Sequence, residues 1–318
     1  MIQFLGRGVA GLALLLISYI AVGGMMTATG APKPRGQMVD IEPGRKLRLV
    51  CEGPKSDRPV VWLESGAFGL AADWGGTQEA LAAAGWRSCA YDRAGMGFSP
   101  KGPKPRDGLA IVADFEKLVA ASGEPGPYIL VGHSMAGLRL REYAGRNPDK
   151  IAGLVMVDAA TPEAAQNPRM QGFIKAFANI SKWAARGASL GLYKPLVNTR
   201  MGDKIDLPPA AKAEKSWAFA NGRHNRTAAE EVGLWAEASA QAAAQPQFDP
   251  KWPLAVVTAG PRKGRETWKD LQAAPALRSE HGMVDHVEAA THTLLIGRRF
   301  ADHIVRAVAF VADAHKKG

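Results

Sequence analysis

Val131-Gly132-His133-Ser134-Met135-Ala136-Gly137 is the stretch on which the reading of this chain turns. It follows the apolar run Tyr128-Ile129-Leu130-Val131 and precedes a helical-looking segment from Leu138 to Arg146. A serine hydroxyl is a weak nucleophile. Projected from a sharp strand-to-helix turn, it can meet a base and face a helix N-terminus that favours developing negative charge. Small neighbours make such a turn possible. Gly-x-Ser-x-Gly is the usual pattern, and here Gly132 and Ser134 meet it while Ala136 holds the last position and Gly137 comes one residue late. The segment reads as a nucleophile elbow with a tolerated alanine; the plainer alternative is a glycine-rich turn carrying an incidental serine.

Upstream, Met38 to Ile41 and Lys46 to Glu52 flank the turn Glu42-Pro43-Gly44-Arg45 and read as a hairpin. Val60-Val61-Trp62-Leu63-Glu64 reads as a buried strand ending in Ser65-Gly66-Ala67-Phe68-Gly69, a loop able to turn backbone N–H groups toward a substrate oxygen. A helix is expected from Asp73 to Ala84. The strand Trp86 to Tyr91 then runs into Asp92-Arg93-Ala94-Gly95-Met96-Gly97-Phe98-Ser99. Its glycines lack the βαβ setting of a dinucleotide site, and no metal-binding cluster is visible, so no cofactor is expected.

Three motifs thus share one order: a strand with Ser-Gly-Ala, a strand with Asp-Arg-x-Gly-x-Gly-x-Ser, and a strand with Gly-His-Ser. In this order the sequence resembles the α/β-hydrolase fold superfamily, specifically bacterial serine hydrolases with a short hydrophobic N-terminus. The resemblance covers residues 38 to 160 well and the C-terminal part more loosely. It implies a mostly parallel eight-stranded sheet with helices on both faces and an inserted helical cap. It also implies an oxyanion hole from the Ala67 and Met135 N–H groups. Asp92 and Arg93 are expected to brace their loop. Cys51 and Cys89 fall in strands that the family places side by side, so a disulfide and two buried free thiols are both open readings.

Asp107 to Ser122 has the periodicity of an amphipathic helix. After the elbow, the apolar strand Ile151 to Val157 ends at Asp158, and an acid at a strand's C-terminal end lies where open α/β sheets bind ligands. The strand Leu254 to Ala259 carries no early carboxylate in its Gly260-Pro261-Arg262-Lys263-Gly264 loop; Glu266 and Asp270 follow later, in an expected helix. The resemblance implies a triad acid after this later strand in most members and after the earlier strand in some, which is where Asp158 stands; Asp158 is preferred over Asp270, with Glu266 third. Among the histidines, His133 flanks the nucleophile, His224 lies in the expected cap, His286 in the strand Met283 to Ala289, and His303 and His315 in the last helix. His292 stands in the loop before the helix Gly297 to Ala314 and is the expected general base.

The expected boundaries are 1–37 for a hydrophobic leader and linker, 38–160 and 252–318 for the two parts of the core, and 161–251 for the cap. Within the cap, Met170, Phe173, Ile174 and Phe177 recur at helical spacing, with Trp217 and Trp235 in later helices. About 19 uncharged residues, Gly8 to Met26, approach the roughly 20 needed to cross a bilayer. They read as a retained anchor or as a signal segment cleaved near Met26-Thr27-Ala28 or Thr29-Gly30-Ala31, with Pro32 to Gly36 as a linker. Either reading places the body outside the cytoplasm, periplasmic or secreted, because Arg7 precedes the segment.

Lys and Arg outnumber Asp and Glu by 40 to 30, for a formal charge of +10. The cations are scattered and not interleaved with aromatics, which argues against nucleic acid as a partner. The motifs together predict a serine hydrolase acting on a small carboxylic ester or lactone with Ser134, His292 and Asp158. Aminopeptidase, C–C hydrolase and perhydrolase are the enzymatic alternatives, and a non-catalytic ligand- or partner-binding protein at the membrane is the other class.

Overall fold

The computed structural model describes residues 2–27, 30–197, 204–261 and 263–317, with the main chain alone for residues 2–9, 24, 26 and 27. Eight strands form one sheet: β1 (Gln37–Glu42), β2 (Arg45–Glu52), β3 (Val61–Glu64), β4 (Ser88–Asp92), β5 (Tyr128–His133), β6 (Ile151–Val157), β7 (Leu254–Ala259) and β8 (Gly282–Val287). Their order is β1-β2-β4-β3-β5-β6-β7-β8. β1 and β2 pair antiparallel, as does β2 with β4, and every later pairing is parallel. This is the mostly parallel α/β sheet expected from the sequence.

The helices are α1 (Ile2–Thr27), α2 (Gly75–Ala83), α3 (Gly108–Ser122), α4 (Ala136–Arg146), α5 (Pro162–Ala165) and α6 (Pro168–Ser189). They continue with α7 (Pro209–Ala220), α8 (Gly222–Gly233), α9 (Trp235–Ala244), α10 (Glu266–Arg278) and α11 (Ala301–His315). α5 to α9 all lie in the connection between β6 and β7.

Strand side chains alternate between the sheet's two faces, so each apolar strand feeds two cores. Val61, Leu63, Ile129, Val131, Val155 and Val257 pack with Leu81 of α2 and with Ile304, Val308 and Val311 of α11. On the other face Trp62, Tyr91, Leu130, Leu154 and Val256 pack with Phe115 and Leu118 of α3 and Tyr143 of α4. Burying each such side chain stabilises the fold by about 1.5–3 kcal/mol. The unbroken apolar runs of β5 and β6 are thus explained by burial on both sides.

Several expected boundaries shift. Asp73 lies in a short 3-10 turn, Ala71–Trp74, and α2 begins only at Gly75. The last helix likewise starts at Ala301, after the 3-10 turn Arg298–Phe300. Asp107 caps α3 by accepting from the Ala110 N–H at 2.9 Å, which fixes that helix's start where the sequence put it. Cys51 and Cys89 face each other across β2 and β4 and are disulfide-bonded, which decides between the two open readings.

The linker is pinned rather than loose. Arg35 donates to Glu52 at 2.8 Å and to Glu214 of α7, and its carbonyl accepts from Arg48. Among the described residues no helix is long and apolar enough to cross a membrane. The structure therefore adds no support for a spanning anchor. Ala28 and Thr29, one in each candidate cleavage window, lie outside the described residues, as does Arg262.

Candidate active site

Ser134 leaves β5 with a φ of 59°, the left-handed region that a non-glycine residue occupies only where the surroundings hold it. They do so here. The Ser134 N–H donates to Val157 O, and its carbonyl accepts from Gly137 and Ala160. A Cβ on Gly137 would come within 2.3 Å of Ala160 O, whereas Ala136 fits as it stands, fully buried. The close approach that requires glycine has thus moved one residue along α4, which accounts for the displaced motif.

Asp158, at the end of β6, also sits at positive φ, 42°. Its Oδ2 accepts from His292 Nδ1 at 2.6 Å. Its Oδ1 accepts from Lys269 Nζ at 3.1 Å, Gln272 Nε2 at 3.0 Å and the Ala259 N–H at 3.3 Å. Burial works to raise this carboxyl, but the His292 hydrogen bond and then the Lys269 ammonium outweigh it and hold it well below the usual carboxylate range. Asp158 is therefore an anion near neutral pH. It fixes the Nδ1–H tautomer of His292 and leaves Nε2 as the free acceptor.

The other two acids stand elsewhere. Glu266 and Asp270 are exposed on α10, and Glu266 accepts from the Gly264 N–H at 2.9 Å. Of the three carboxylates weighed from the sequence, Asp158 is the one that meets His292.

His133, read from the sequence only as the nucleophile's neighbour, has a second position to hold. Its Nε2–H donates to the His292 carbonyl at 2.9 Å, and the two rings lie 4.4 Å apart. Burial, reinforced by His292, pushes its pKa down to about 3, so it is neutral. His286 bonds Thr258 at 2.7 Å and His303 bonds Asp285 at 2.7 Å; both serve the β7–β8–α11 edge. His224, buried in α8, accepts from the Gly97 N–H at 3.0 Å.

The loop after β3 lies against the serine. A Cβ on Gly66 would stand 2.7 Å from Ser134 Cβ and 3.3 Å from its Oγ. Among the described residues, neither the Ala67 nor the Met135 N–H donates to another protein group, so both remain available to a substrate oxygen. Ion pairs hold this loop from below. Arg93 donates to Ser65 O at 2.8 Å and Gly66 O at 2.9 Å, and it pairs with Glu64 and with Glu231 of α8. Arg139 of α4 bonds the same Glu64 at 2.7 Å. Asp92 accepts from the Ala71 and Phe98 N–H groups at 2.8 Å each. Both members of the Asp92-Arg93 pair brace loops, as expected.

The connection between β6 and β7 packs apolar surface against residues next to the serine. Met135 and Leu138 pack with Ile174 of α6, Val232 of α8 and Trp235 of α9, and Ala67, Phe68 and Phe177 border the same cluster. Phe68 and Phe177 meet edge to face at 6.2 Å. Lys215 of α7 donates to Phe68 O at 3.0 Å and pairs with Asp73 at 2.8 Å, a contact the sequence did not signal. A separate cleft of about 1080 Å³ opens between α6, α8 and the Lys104–Arg106 loop, and none of Ser134, Asp158 or His292 lines it. Among the described residues, one cluster has metal-ligand spacing, Cys51, Cys89 and Glu124, and its two sulfurs are already joined to each other.

A strand-to-helix serine, a histidine held by a half-buried aspartate and an eight-stranded sheet in this order define a hydrolase scaffold. A family model described as alpha/beta hydrolase fold matches residues 59–261, and the chain belongs to that family. It is 36% identical over 124 residues, 39% of this chain and 46% of the relative, to the "Putative carbamate hydrolase RutD" of Variovorax paradoxus. Over 130 residues, 39% of this chain but 18% of the relative, it is 36% identical to the "Probable transporter efuK" of Hormonema carpetanum. The chain thus spans less than half the length of these relatives. Among solved structures, an esterase from Thermogutta terrifontis superposes with a TM-score of 0.61 at 16% identity, covering 89% of this chain and 100% of that one. At that identity the likeness concerns the fold.

Proposed function

We propose that the protein is a serine hydrolase that cleaves a carboxylic ester or lactone through an acyl-enzyme. The observation that carries the reading is the 2.6 Å bond from His292 Nδ1 to the half-buried Asp158, with His133, the chain neighbour of a serine in left-handed backbone geometry, bonded to the His292 carbonyl. Ser134 Oγ attacks the carbonyl carbon as His292 Nε2 takes its proton, and Asp158 stabilises the imidazolium. The tetrahedral oxyanion is met by the Ala67 and Met135 N–H groups, each worth about 3 kcal/mol in comparable sites. His292 then protonates the leaving alcohol, and water reverses the sequence to release the acid. Residues 161–251 act as the cap, with Phe68, Phe177 and Trp235 favouring an apolar acyl or alcohol group. The disulfide supports an oxidising, extracytoplasmic setting.

The test is hydrolysis of p-nitrophenyl esters from acetate to long chain, with a lactone and an aryl carbamate alongside, by the full chain and by Ser134→Ala. The carbamate is included because the matched RutD carries that substrate class in its name. Ester or lactone turnover that disappears with Ser134→Ala is expected. Carbamate turnover alone would move the substrate class, and a folded wild type without turnover or fluorophosphonate labelling would leave a binding protein on a hydrolase fold.

A further inference from the structure

Helix α6 buries one side and leaves the other bare. Ile174, Ser181, Ala185 and Ala188 face the protein. Phe173, Ile180 and Trp183 are 52%, 63% and 68% exposed, and with exposed Ala176 they recur at intervals of three, four and three residues, one stripe along the outer face. Folding the helix does not require this stripe, and contiguous exposed apolar surface marks a contact. Along its edge Lys175, Lys182 and Arg186 are exposed, and the Arg186 guanidinium lies 4.5 Å from the Trp183 ring centre. With Arg169 they make α6 cationic, and no carboxylate occurs between Pro168 and Ser189.

Two further features adjoin this helix. The C-terminal half of α1 packs on Lys194–Leu196, just beyond α6, while Leu12, Leu15 and Ile17 of α1 are 70%, 69% and 62% exposed. The 1080 Å³ cleft beside Lys182 and Arg186 adds Lys104 and Arg226 to the rim, with Glu230 as its one acid.

We infer that the outer face of α6 docks the cap onto an anionic lipid surface. Apolar side chains enter the headgroup boundary there, Lys and Arg meet phosphates, and a tryptophan beside an arginine sits at the interface. A second copy of this chain is the poorer occupant, because two-fold pairing of the stripe sets Lys175, Lys182 and Arg186 against their own copies. The stripe also leads inward. Phe173 stacks on Phe177 at 5.7 Å, and Phe177 meets Phe68 next to Ala67. Docking thereby sets the lipid phase at the apolar approach to Ser134, so that substrate dissolved in the bilayer enters through the cap. That last step rests on the hydrolase reading; the docking itself does not.

Co-sedimentation of the full chain with vesicles tests it, using phosphatidylcholine alone against phosphatidylcholine with about 30 mol % phosphatidylglycerol, at low and high salt. The expected result is binding to the anionic vesicles that weakens with salt. Lys182→Ala is expected to weaken it about fivefold. The double variant Ile180→Ser/Trp183→Ser is expected to weaken it at least about tenfold with an unchanged circular dichroism spectrum and unchanged turnover of a soluble ester. No binding to anionic vesicles would overturn the inference. So would equal binding by wild type and both variants, which would assign the affinity to α1, or a concentration-dependent dimer abolished by the double variant without vesicle binding.

Discussion

Replacing Asp158 by asparagine is the perturbation whose consequence the geometry fixes most tightly. Oδ1 of Asp158 faces three donors, the Lys269 ammonium, the Gln272 amide and the Ala259 N–H. An asparagine in this position keeps its carbonyl oxygen toward them and turns its NH₂ toward His292. Nδ1 of His292 must then accept, its proton moves to Nε2, and the nitrogen meant to take the serine proton becomes a donor. The wrong tautomer costs about 10⁴-fold in kcat, equivalent to roughly 5.5 kcal/mol. A stability cost follows as well, because Lys269, 4% exposed, then faces a neutral amide oxygen in place of the carboxylate, with Ala259 O and Gln272 Oε1 as its other, uncharged partners. Losing the anion beside a buried cation costs about 3–5 kcal/mol. The assay is steady-state ester hydrolysis with urea unfolding of the same samples, against Asp270→Asn and Glu266→Gln as controls that should stay within about threefold on the reasoning that they do not meet His292. A folded Asp158→Asn enzyme within tenfold of wild type would refute the argument, the more so if Asp270→Asn collapsed instead.

Other consequences are open to measurement. His133→Phe removes the bond to the His292 carbonyl, and kcat is expected to fall about 10- to 100-fold with KM little changed; an unchanged kcat would deny His133 a positioning role. His133 and His224 are both buried, and burial pushes each pKa down to about 3. Above pH about 6.5 both are neutral in either state. Below it the unfolded chain takes up protons that the native rings refuse, so stability falls as pH drops toward 3, by about 2 kcal/mol per histidine at pH 5. Urea midpoints that match at pH 7.5 and pH 5 would contradict this. Cys51→Ser/Cys89→Ser opens a loop with a sequence separation of 38. The expected loss is about 2–4 kcal/mol in urea unfolding, and an unchanged midpoint under oxidising conditions would show that the bond does not constrain the unfolded chain.

What the sequence made legible follows from what is local. β5 and β6 are buried on both faces, so their apolar runs stand out, and Ser134 and Asp158 could be placed because each ends such a run. The start of α3 at Asp107 was legible from the helix's apolar periodicity, while the cap that fixes it, made to an N–H three residues on, is seen in the structure. The supports of the site were not. Lys269 and Gln272 reach Asp158 across separations of 111 and 114 residues, and they sit in a helix whose apolar pattern is weak because Pro275 and several polar residues interrupt it. Glu231 reaches Arg93 across 138 residues, and His133 reaches His292 across 159. Such contacts depend on tertiary packing that spacing does not encode. The displaced glycine is the intermediate case. Ala136-Gly137 looked like a departure from a motif, and only the approach of Ala160 O shows which position needs to lack a Cβ.

The central claim is that Ser134 becomes acylated, and trapping that species tests it most directly. The full chain is mixed with a p-nitrophenyl ester, quenched in acid within the first turnovers, and its intact mass and peptides are measured beside those of Ser134→Ala. The account predicts a burst of p-nitrophenol and one acyl adduct, mapped to the peptide containing Ser134 and missing from the variant. Turnover without an adduct on that peptide, or an adduct that persists in Ser134→Ala, would contradict it.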